Sequence, residues 1–88
     1  MVIYKYELQI TDEQTVEMPR GARLLSVQMQ RERLMLWAVV NTNEPIRSRV
    51  IRIHGTGIAI SPEHNYAFIG TVQDGPFVWH VFDGGQRR

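Results

Sequence analysis

The feature that most restricts what this chain can fold into is a two-residue alternation of apolar and polar side chains. In segment 3–10, Tyr4, Tyr6 and Leu8 alternate with polar residues, so that every second side chain lies on one face of an extended strand. No window of the sequence shows the period of an amphipathic helix. The alternation recurs downstream, in segments 22–31, 47–54, 66–73 and 77–82. The pattern therefore predicts an all-β chain.

Turn residues divide the pattern into short strands. Pro19 and Gly21, the NTNEP segment at 41–45 and the DGP segment at 74–76 interrupt the alternation, and each contains residues that favour turns. We expect about seven short strands, which are typical of a small antiparallel β-sandwich or a partly open barrel. Segment 34–40, LMLWAVV, is apolar on both faces and is expected to be a central strand.

The alternation also assigns side chains to faces. Leu25, Val27 and Met29 are expected to share one face of their strand, and Phe68 and Val72 to share one face of theirs. In each strand the residues between them are expected on the opposite face.

Smaller features are expected where the strands are interrupted or end. Gly70 lies inside a strand pattern and predicts a β-bulge or a close backbone approach. Residues 58–60, IAI, predict a short strand, and residues 61–66, SPEHNY, could form a single helical turn. We expect residues 1–83 to form a single β domain and residues 84–88, GGQRR, to be a flexible C-terminal tail.

The composition excludes several classes of protein. The 88 residues contain no cysteine and carry a formal net charge of +1. The lack of cysteine excludes disulfides, thiolate catalysis and cysteine-based metal sites, and it favours a reducing compartment. No apolar run is long enough to span a membrane, and segment 1–10 is more polar than the apolar part of a signal peptide. Acidic and basic residues are interspersed without a basic stripe, so we do not expect nucleic acid as a partner.

The segment IRIHGTG, at 51–57, is the most distinctive local pattern. Backbone N–H groups around Gly55, Thr56 and Gly57 could form an anion-binding nest beside His54. Alternatively, the two glycines let a strand bend from one sheet to the other. The sequence leaves both possibilities open, and the candidate binding residues of this segment are His54, Gly55, Thr56 and Gly57.

The histidines and carboxylates show no pattern typical of catalysis or metal binding. His54, His64 and His80 are far apart, and none has a second ligand close by in the sequence, as zinc sites commonly do. The carboxylates form no evident acid–base pair, and no serine has a neighbour that would activate it. We therefore expect no enzymatic activity, no metal and no cofactor.

Arginine dominates the basic residues. Lys5 is the single lysine, and arginine is favoured at interfaces because its planar guanidinium pairs bidentately and stacks on rings. A GC-rich genome would produce the same bias through codon use, and the sequence does not separate the two explanations. The candidate contact residues lie in the predicted fifth strand and in a hairpin tip: Arg47, Arg49, Arg52, Arg31 and Arg33.

A set of sequence blocks, in order and spacing, covers nearly the whole chain: YKYEL (4–8), ITDEQTVEMPRGARLLSVQMQ (10–30), LWAVVNTNEP (36–45), IRIHGTGIAI (51–60), YAFIGTVQ (66–73) and FVWHVF (77–82). In these blocks the chain resembles a family of small uncharacterised proteins encoded by bacteriophages and prophages. Family members often have His-Pro after the Gly-Thr-Gly, where this chain has Ile58-Ala59. The resemblance implies a phage accessory protein in the host bacterial cytoplasm and implies no particular activity.

Two functions of different classes are compatible with these features. The first is a protein–protein interaction module that binds and blocks a host or defence protein, or serves as an accessory subunit, through a sheet edge or through arginine anchors. The alternative is a protein that binds or sequesters a nucleotide-type ligand, with the Gly55–Gly57 loop on phosphate and Tyr4, Tyr6 or Trp79 on the base. With either function we expect a homodimer that hides strand edges.

Overall fold

The fold is a sandwich of two antiparallel β-sheets, which confirms the all-β prediction. The computed structural model describes residues 1–64 and 66–87, so that Asn65 of the predicted helical turn and Arg88 of the predicted tail lie outside the described residues. Within this described chain the strands are β1 (Val2–Leu8), β2 (Glu13–Pro19), β3 (Arg23–Gln30), β4 (Arg33–Val40), β5 (Ile46–Gly55), β6 (Ala67–Asp74) and β7 (Phe77–Gln86).

The strands form two open sheets of different size. One sheet has three strands in the order β1–β4–β3, and the other has four in the order β2–β5–β7–β6. Every pairing is antiparallel, and the sheets do not close into a barrel. Residues 1–64 and 66–87 include no helix that is long and apolar enough to cross a membrane.

The core lies between the sheets and follows the alternation in β4 and β5. In β4, Leu34, Leu36, Ala38 and Val40 are buried while the side chains between them are half-buried. This strand lies between β1 and β3, as predicted for a segment that is apolar on both faces. Burial of each leucine or valine side chain contributes roughly 1.5–3 kcal/mol to the free energy of folding. The four-stranded sheet contributes the buried side chains of Ile51, Ile53, Val72 and Val81.

A β-bulge in β3 makes part of the predicted face assignment wrong. The pairing with β4 shifts register between Leu24 and Ser26. An inserted residue reverses the faces on one side of it, so Leu25 is exposed and Leu24 packs against the core in its place. Val27 and Met29, beyond the bulge, share one face as predicted, and both pack against the core.

A second bulge, in β6, separates Phe68 from Val72. The register with β7 shifts between Phe68 and Gly70, so Val72 is buried while Phe68 is exposed. The prediction that these two side chains share a face is therefore wrong. This bulge lies next to Gly70, and a Cβ at Gly70 would lie 2.9 Å from Val27 Cγ2 of β3. Both features predicted for this glycine, a bulge and a close approach, are therefore present.

The Gly-Thr-Gly segment ends β5 in a tight turn, and the predicted strand at residues 58–60 is absent. The N–H of Ile58 donates to the carbonyl of Gly55 at 3.2 Å, and Gly57 has φ +84°, a conformation that favours glycine. The predicted helical turn is an isolated turn, in which the N–H of His64 donates to the carbonyl of Ser61 at 3.2 Å.

The C-terminal strand is longer than the sequence suggested. β7 extends to Gln86, so residues 84–86 belong to the sheet rather than to the predicted tail. The N–H of Gly85 donates to Asp83 Oδ1 at 2.8 Å, and the N–H of Arg87 donates to the carbonyl of Ser48 at 2.7 Å. Consecutive glycines are a turn signal in a sequence, and here they form a bulge opposite β5.

Candidate functional site

The outer face of the four-stranded sheet, which points away from the other sheet, carries two rows of aromatic and polar side chains. One row aligns Glu13, Arg52, Phe82 and Phe68 across β2, β5, β7 and β6. The next row aligns His54 with His80 and Thr71, and Tyr66 lies just before β6. We call this surface the aromatic face, and its members are Arg52, His54, Tyr66, Phe68, His80 and Phe82.

Phe82 lies at the centre of the ring contacts on the aromatic face. Its ring centroid is 5.5 Å from that of Phe68, 6.2 Å from that of Tyr66 and 5.6 Å from that of His54. The exposed His64 stacks on Tyr66 with centroids 4.8 Å apart. Each such aromatic pair contributes about 0.5–1.5 kcal/mol beyond the area it buries, so the rings form an ordered platform.

Arg52 is held between an acid and a ring. Its guanidinium forms an ion pair with Glu13, and its guanidinium carbon lies 5.0 Å from the centroid of the Tyr66 ring. A cation over an aromatic face is attracted by the ring quadrupole. The position of the Arg52 charge is therefore fixed before any ligand binds.

Three buried polar atoms of the aromatic face have no hydrogen-bond partner within the described part of the chain: Arg52 Nε, His54 Nε2 and the Tyr66 hydroxyl. Burial lowers the pKa of His54, and the positive charge of Arg52 lowers it further, so this imidazole is neutral at neutral pH. Burial also raises the pKa of the Tyr66 hydroxyl. Buried polar groups are normally paired, so these three atoms are unsatisfied groups beneath the surface of the aromatic face.

His80, in contrast, is fully occupied within the fold. Its Nε2 is 2.8 Å from the hydroxyl oxygen of Thr56, and its Nδ1 is 2.9 Å from that of Thr71. In the neutral ring one nitrogen donates and the other accepts. Thr56, which the sequence suggested as a ligand contact, therefore supports His80 and anchors the turn to the sheet.

The structure places only some of the predicted binding residues on or beside the aromatic face. Arg52 and His54 belong to it, and Thr56 borders it through His80. Gly55 faces the opposite side, where a Cβ would lie 3.5 Å from Cζ3 of Trp79. Gly57 forms the turn itself. The bend from one sheet to the other that the sequence offered as an alternative is not present, because β5 and β6, on either side of this turn, belong to the same sheet.

Arg49 lies on the opposite face of β5 from Arg52, and its side chain points into the space between the two sheets. Its Nε donates to Asp83 Oδ1 at 2.9 Å and its Nη2 to Asp83 Oδ2 at 2.7 Å, while Nη1 donates to the carbonyl of Ala22 at 2.7 Å. This guanidinium ties β5 and β7 to the start of β3, so it is a structural residue. Arg47, on the same side, donates to the carbonyl of Ile46 at 2.9 Å.

Arg31 and Arg33 lie at the tip of the β3–β4 hairpin, on the other sheet. With Lys5 and Met35 they line an open groove of about 660 Å³. Arg33 pairs with Glu7 at 3.2 Å across the outer surface of that sheet. The predicted arginines therefore do not form one patch, and only Arg52 joins the aromatic face.

Comparison with known proteins assigns a family. A family model described as a domain of unknown function, DUF7352, matches residues 1–88. The chain belongs to this family. No curated protein and no solved structure matches it.

The three histidines come to one side of the DUF7352 chain without forming a metal centre. His54 and His80 are cross-strand neighbours, and His64 stacks on Tyr66 beside them. Within residues 1–64 and 66–87 no three His, Asp or Glu side chains are arranged to hold a metal ion. Both nitrogens of His80 are engaged by threonine hydroxyls, and the rings of His54 and His64 contact Phe82 and Tyr66.

Sequence reasoning missed Tyr66, Phe68, His80 and Phe82 as members of one site. The alternation does place His80 and Phe82 on the same face of their strand. The missing information is the strand order β5–β7–β6, which brings Arg52 next to Phe82, and the bulge that turns Phe68 outward. Neither can be obtained from periodicity alone.

Proposed function

We propose that this protein is a non-catalytic binding module that recognises a protein partner through the aromatic face of its four-stranded sheet. The observation that carries the proposal is the cluster of aromatic rings around a fixed guanidinium on one sheet face that the other sheet does not cover. Aromatic residues and arginine are enriched where protein interfaces bury surface. The partner would pack on this cluster and cover the exposed Phe68 ring.

The resemblance to phage-encoded proteins supports a host or defence protein of the bacterial cytoplasm as the partner. A module of this kind would act by covering a functional surface of that protein, as an inhibitor does. The mixed character of the aromatic face, with Arg52 beside Glu13 and neutral rings, favours a partner surface of mixed polarity over a strongly charged one.

The test is capture from bacterial lysate, from uninfected and infected cells, with a matched pair of variants. Phe68 and Phe77 are equally exposed, at 60% and 57%, and both lie in the four-stranded sheet. Phe68 contacts Phe82 on the aromatic face, whereas Phe77 stacks on Trp79 away from it.

We expect Phe68→Ser to weaken binding of the captured partner roughly tenfold or more, while Phe77→Ser binds as the wild type does. Calorimetric titration with the purified partner measures the difference. Failure to capture any protein above background, or equal losses in the two variants, would contradict the proposal.

A nucleotide-type ligand is the second candidate, and the geometry of Arg52 favours it specifically. The guanidinium lies over the Tyr66 ring, so its charge could pair with a phosphate beside the aromatic rings. A bound ligand raises the melting temperature by mass action. A thermal-shift panel of nucleotides decides, because a shift that Arg52→Ala abolishes supports this candidate and no shift with any nucleotide excludes it.

A further inference from the structure

Strand β1 leaves one backbone edge without a partner. It pairs with β4 alone, and no other strand of the described chain lies against its second edge. The apolar side chains at its start are exposed, with Ile3 at 60% and Tyr4 at 46%. The pairing with β4 has no register shift, and β1 contains no proline. Bulges and prolines are two of the features that protect natural edge strands from pairing with another chain, and β1 has neither.

The length of this open edge is set by Gln14. Its side-chain amide donates to the carbonyl of Gln9 at 2.7 Å, and its carbonyl oxygen accepts the Gln9 N–H at 3.0 Å. These bonds occupy the backbone just beyond Leu8. A further strand can therefore pair only with the segment Val2–Leu8.

A second copy of the chain fits this edge, because the charges of β1 are self-complementary in one register. A twofold axis perpendicular to the sheet leaves the inner faces of both copies on the same side of the joined sheet. Residues that lie directly opposite each other must then belong to the same face, so the axis passes beside one residue that meets its own counterpart. Centring on Lys5 or on Glu7 sets two like charges directly opposite each other, which is destabilising. Centring on Tyr6 sets Lys5 opposite Glu7 of the second copy, and this pair occurs twice.

We propose that two copies of the chain associate through β1, antiparallel and centred on Tyr6, which joins their three-stranded sheets into one continuous sheet. On the inner face Tyr6 meets Tyr6 of the second copy, and Tyr4 meets Leu8. On the outer face the two Lys5–Glu7 pairs form. The aromatic face lies on the other sheet, so self-association leaves it accessible.

Charge exchange tests this register, because Lys5 and Glu7 are both exposed. Sedimentation of the wild type at micromolar concentration should show a dimer. Lys5→Glu and Glu7→Lys should each raise the dimer dissociation constant roughly tenfold or more, and the double exchange should restore the dimer. An equimolar mixture of the two single variants should form a heterodimer, because both cross-strand pairs are then complementary.

A monomeric wild type, or a dimer that neither single exchange weakens, would overturn the proposal. Circular dichroism of each variant, unchanged from the wild type, shows that the fold is intact. The test is independent of partner capture, so failure of one proposal does not affect the other.

A cysteine scan locates the twofold axis directly in a chain that has no cysteine of its own. Directly opposed residues lie within disulfide distance, so the Tyr6→Cys variant should form a covalent dimer on mild oxidation. The Lys5→Cys variant should not, because its two introduced thiols lie two positions apart along the paired strands. The register would be refuted if only the Lys5→Cys variant formed a covalent dimer, or if neither variant formed one.

Discussion

At the scale of single residues, Arg49 and Asp83 form the ion pair that matters most for stability. Their side chains are only 13% and 17% exposed, and two parallel hydrogen bonds join them. Burial alone would raise the pKa of Asp83, but the hydrogen bonds from Arg49 and from the Gly85 N–H, together with the Arg49 charge, outweigh burial and lower it. The carboxylate is therefore charged in the folded protein at neutral pH.

We expect Asp83→Asn to lower the free energy of unfolding by about 2 kcal/mol at neutral pH, because the Arg49 charge keeps its burial and loses its counter-charge. Since the folded pKa of Asp83 is depressed, its stabilisation is present above the unfolded pKa, about 4, and is lost as the pH falls through the folded value. Urea denaturation across this range measures both effects. If the wild type and the variant keep the same stability difference at every pH, the electrostatic explanation is wrong.

The β3–β4 hairpin turn contains two residues in an unfavourable backbone conformation. Arg31 has φ 51° and Glu32 has φ 66°, which is the left-handed region that two-residue hairpins require and that side chains disfavour. The sequence offered RER as a hairpin tip, yet the residues that usually fill such turns, asparagine and glycine, are absent.

Replacing Glu32 by glycine should therefore stabilise the protein by about 0.5–1 kcal/mol, since the strain of a left-handed Cβ is removed. Glu32→Ala is the control for the lost carboxylate and should give no such gain. The converse change, Gly75→Ala at φ 58° in the β6–β7 turn, should destabilise. Thermal unfolding of the three variants measures these effects, and equal melting temperatures for Glu32→Gly and Glu32→Ala would contradict them.

At the scale of elements, the contact between β3 and β6 sets how closely the two sheets approach. Gly70 of β6 faces Val27 of β3, and its backbone is outside the left-handed region. Absence of a side chain at this position is therefore a requirement of packing, not of backbone conformation.

We expect Gly70→Ala to destabilise the fold by about 1–3 kcal/mol through overpacking. Val27→Ala in the same chain should recover part of the loss, so that the two substitutions are not additive. A double-mutant cycle by urea denaturation measures the coupling. Additive effects, or a Gly70→Ala variant as stable as the wild type, would show that the two sheets can move apart here and accommodate the added methyl group.

The limits of sequence reasoning also lie at the element scale. Alternation was sufficient to find the strands, and apolar residues on both faces were sufficient to place β4 at the centre of a sheet. Bulges at Leu25 and next to Gly70 reverse faces locally, and alternation carries no information about where an extra residue is inserted. The sequence assigns Gly84 and Gly85 to a tail because consecutive glycines carry no strand pattern. They belong to β7 because this segment pairs with β5, a long-range contact that the local sequence does not show.

At the scale of the whole molecule, strand order decides where recognition can occur. The sequence placed His54 and Arg52 among the candidates, but Arg47 and Arg49 share their segment and point the other way. Only the order β5–β7–β6 within the four-stranded sheet assembles residues from three strands into the aromatic face. That order depends on which edges pair across long sequence separations, and no local pattern determines it.

The two surfaces proposed for binding lie on different sheets and would serve different partners. The aromatic face belongs to the four-stranded sheet, and the open edge of β1 belongs to the three-stranded sheet. A dimer built through β1 would present two aromatic faces and could bind two partner molecules. Association and recognition are therefore separable by mutation.

The central claim is that the aromatic face is the recognition surface. Amide proton–nitrogen NMR spectra of the labelled protein, recorded with and without the purified partner, test it most directly. We predict that the largest shift changes occur at Arg52, His54, Phe68 and Phe82, with little change along β4. Changes confined to β4 or to the β3–β4 hairpin, with the aromatic face unaffected, would contradict the claim.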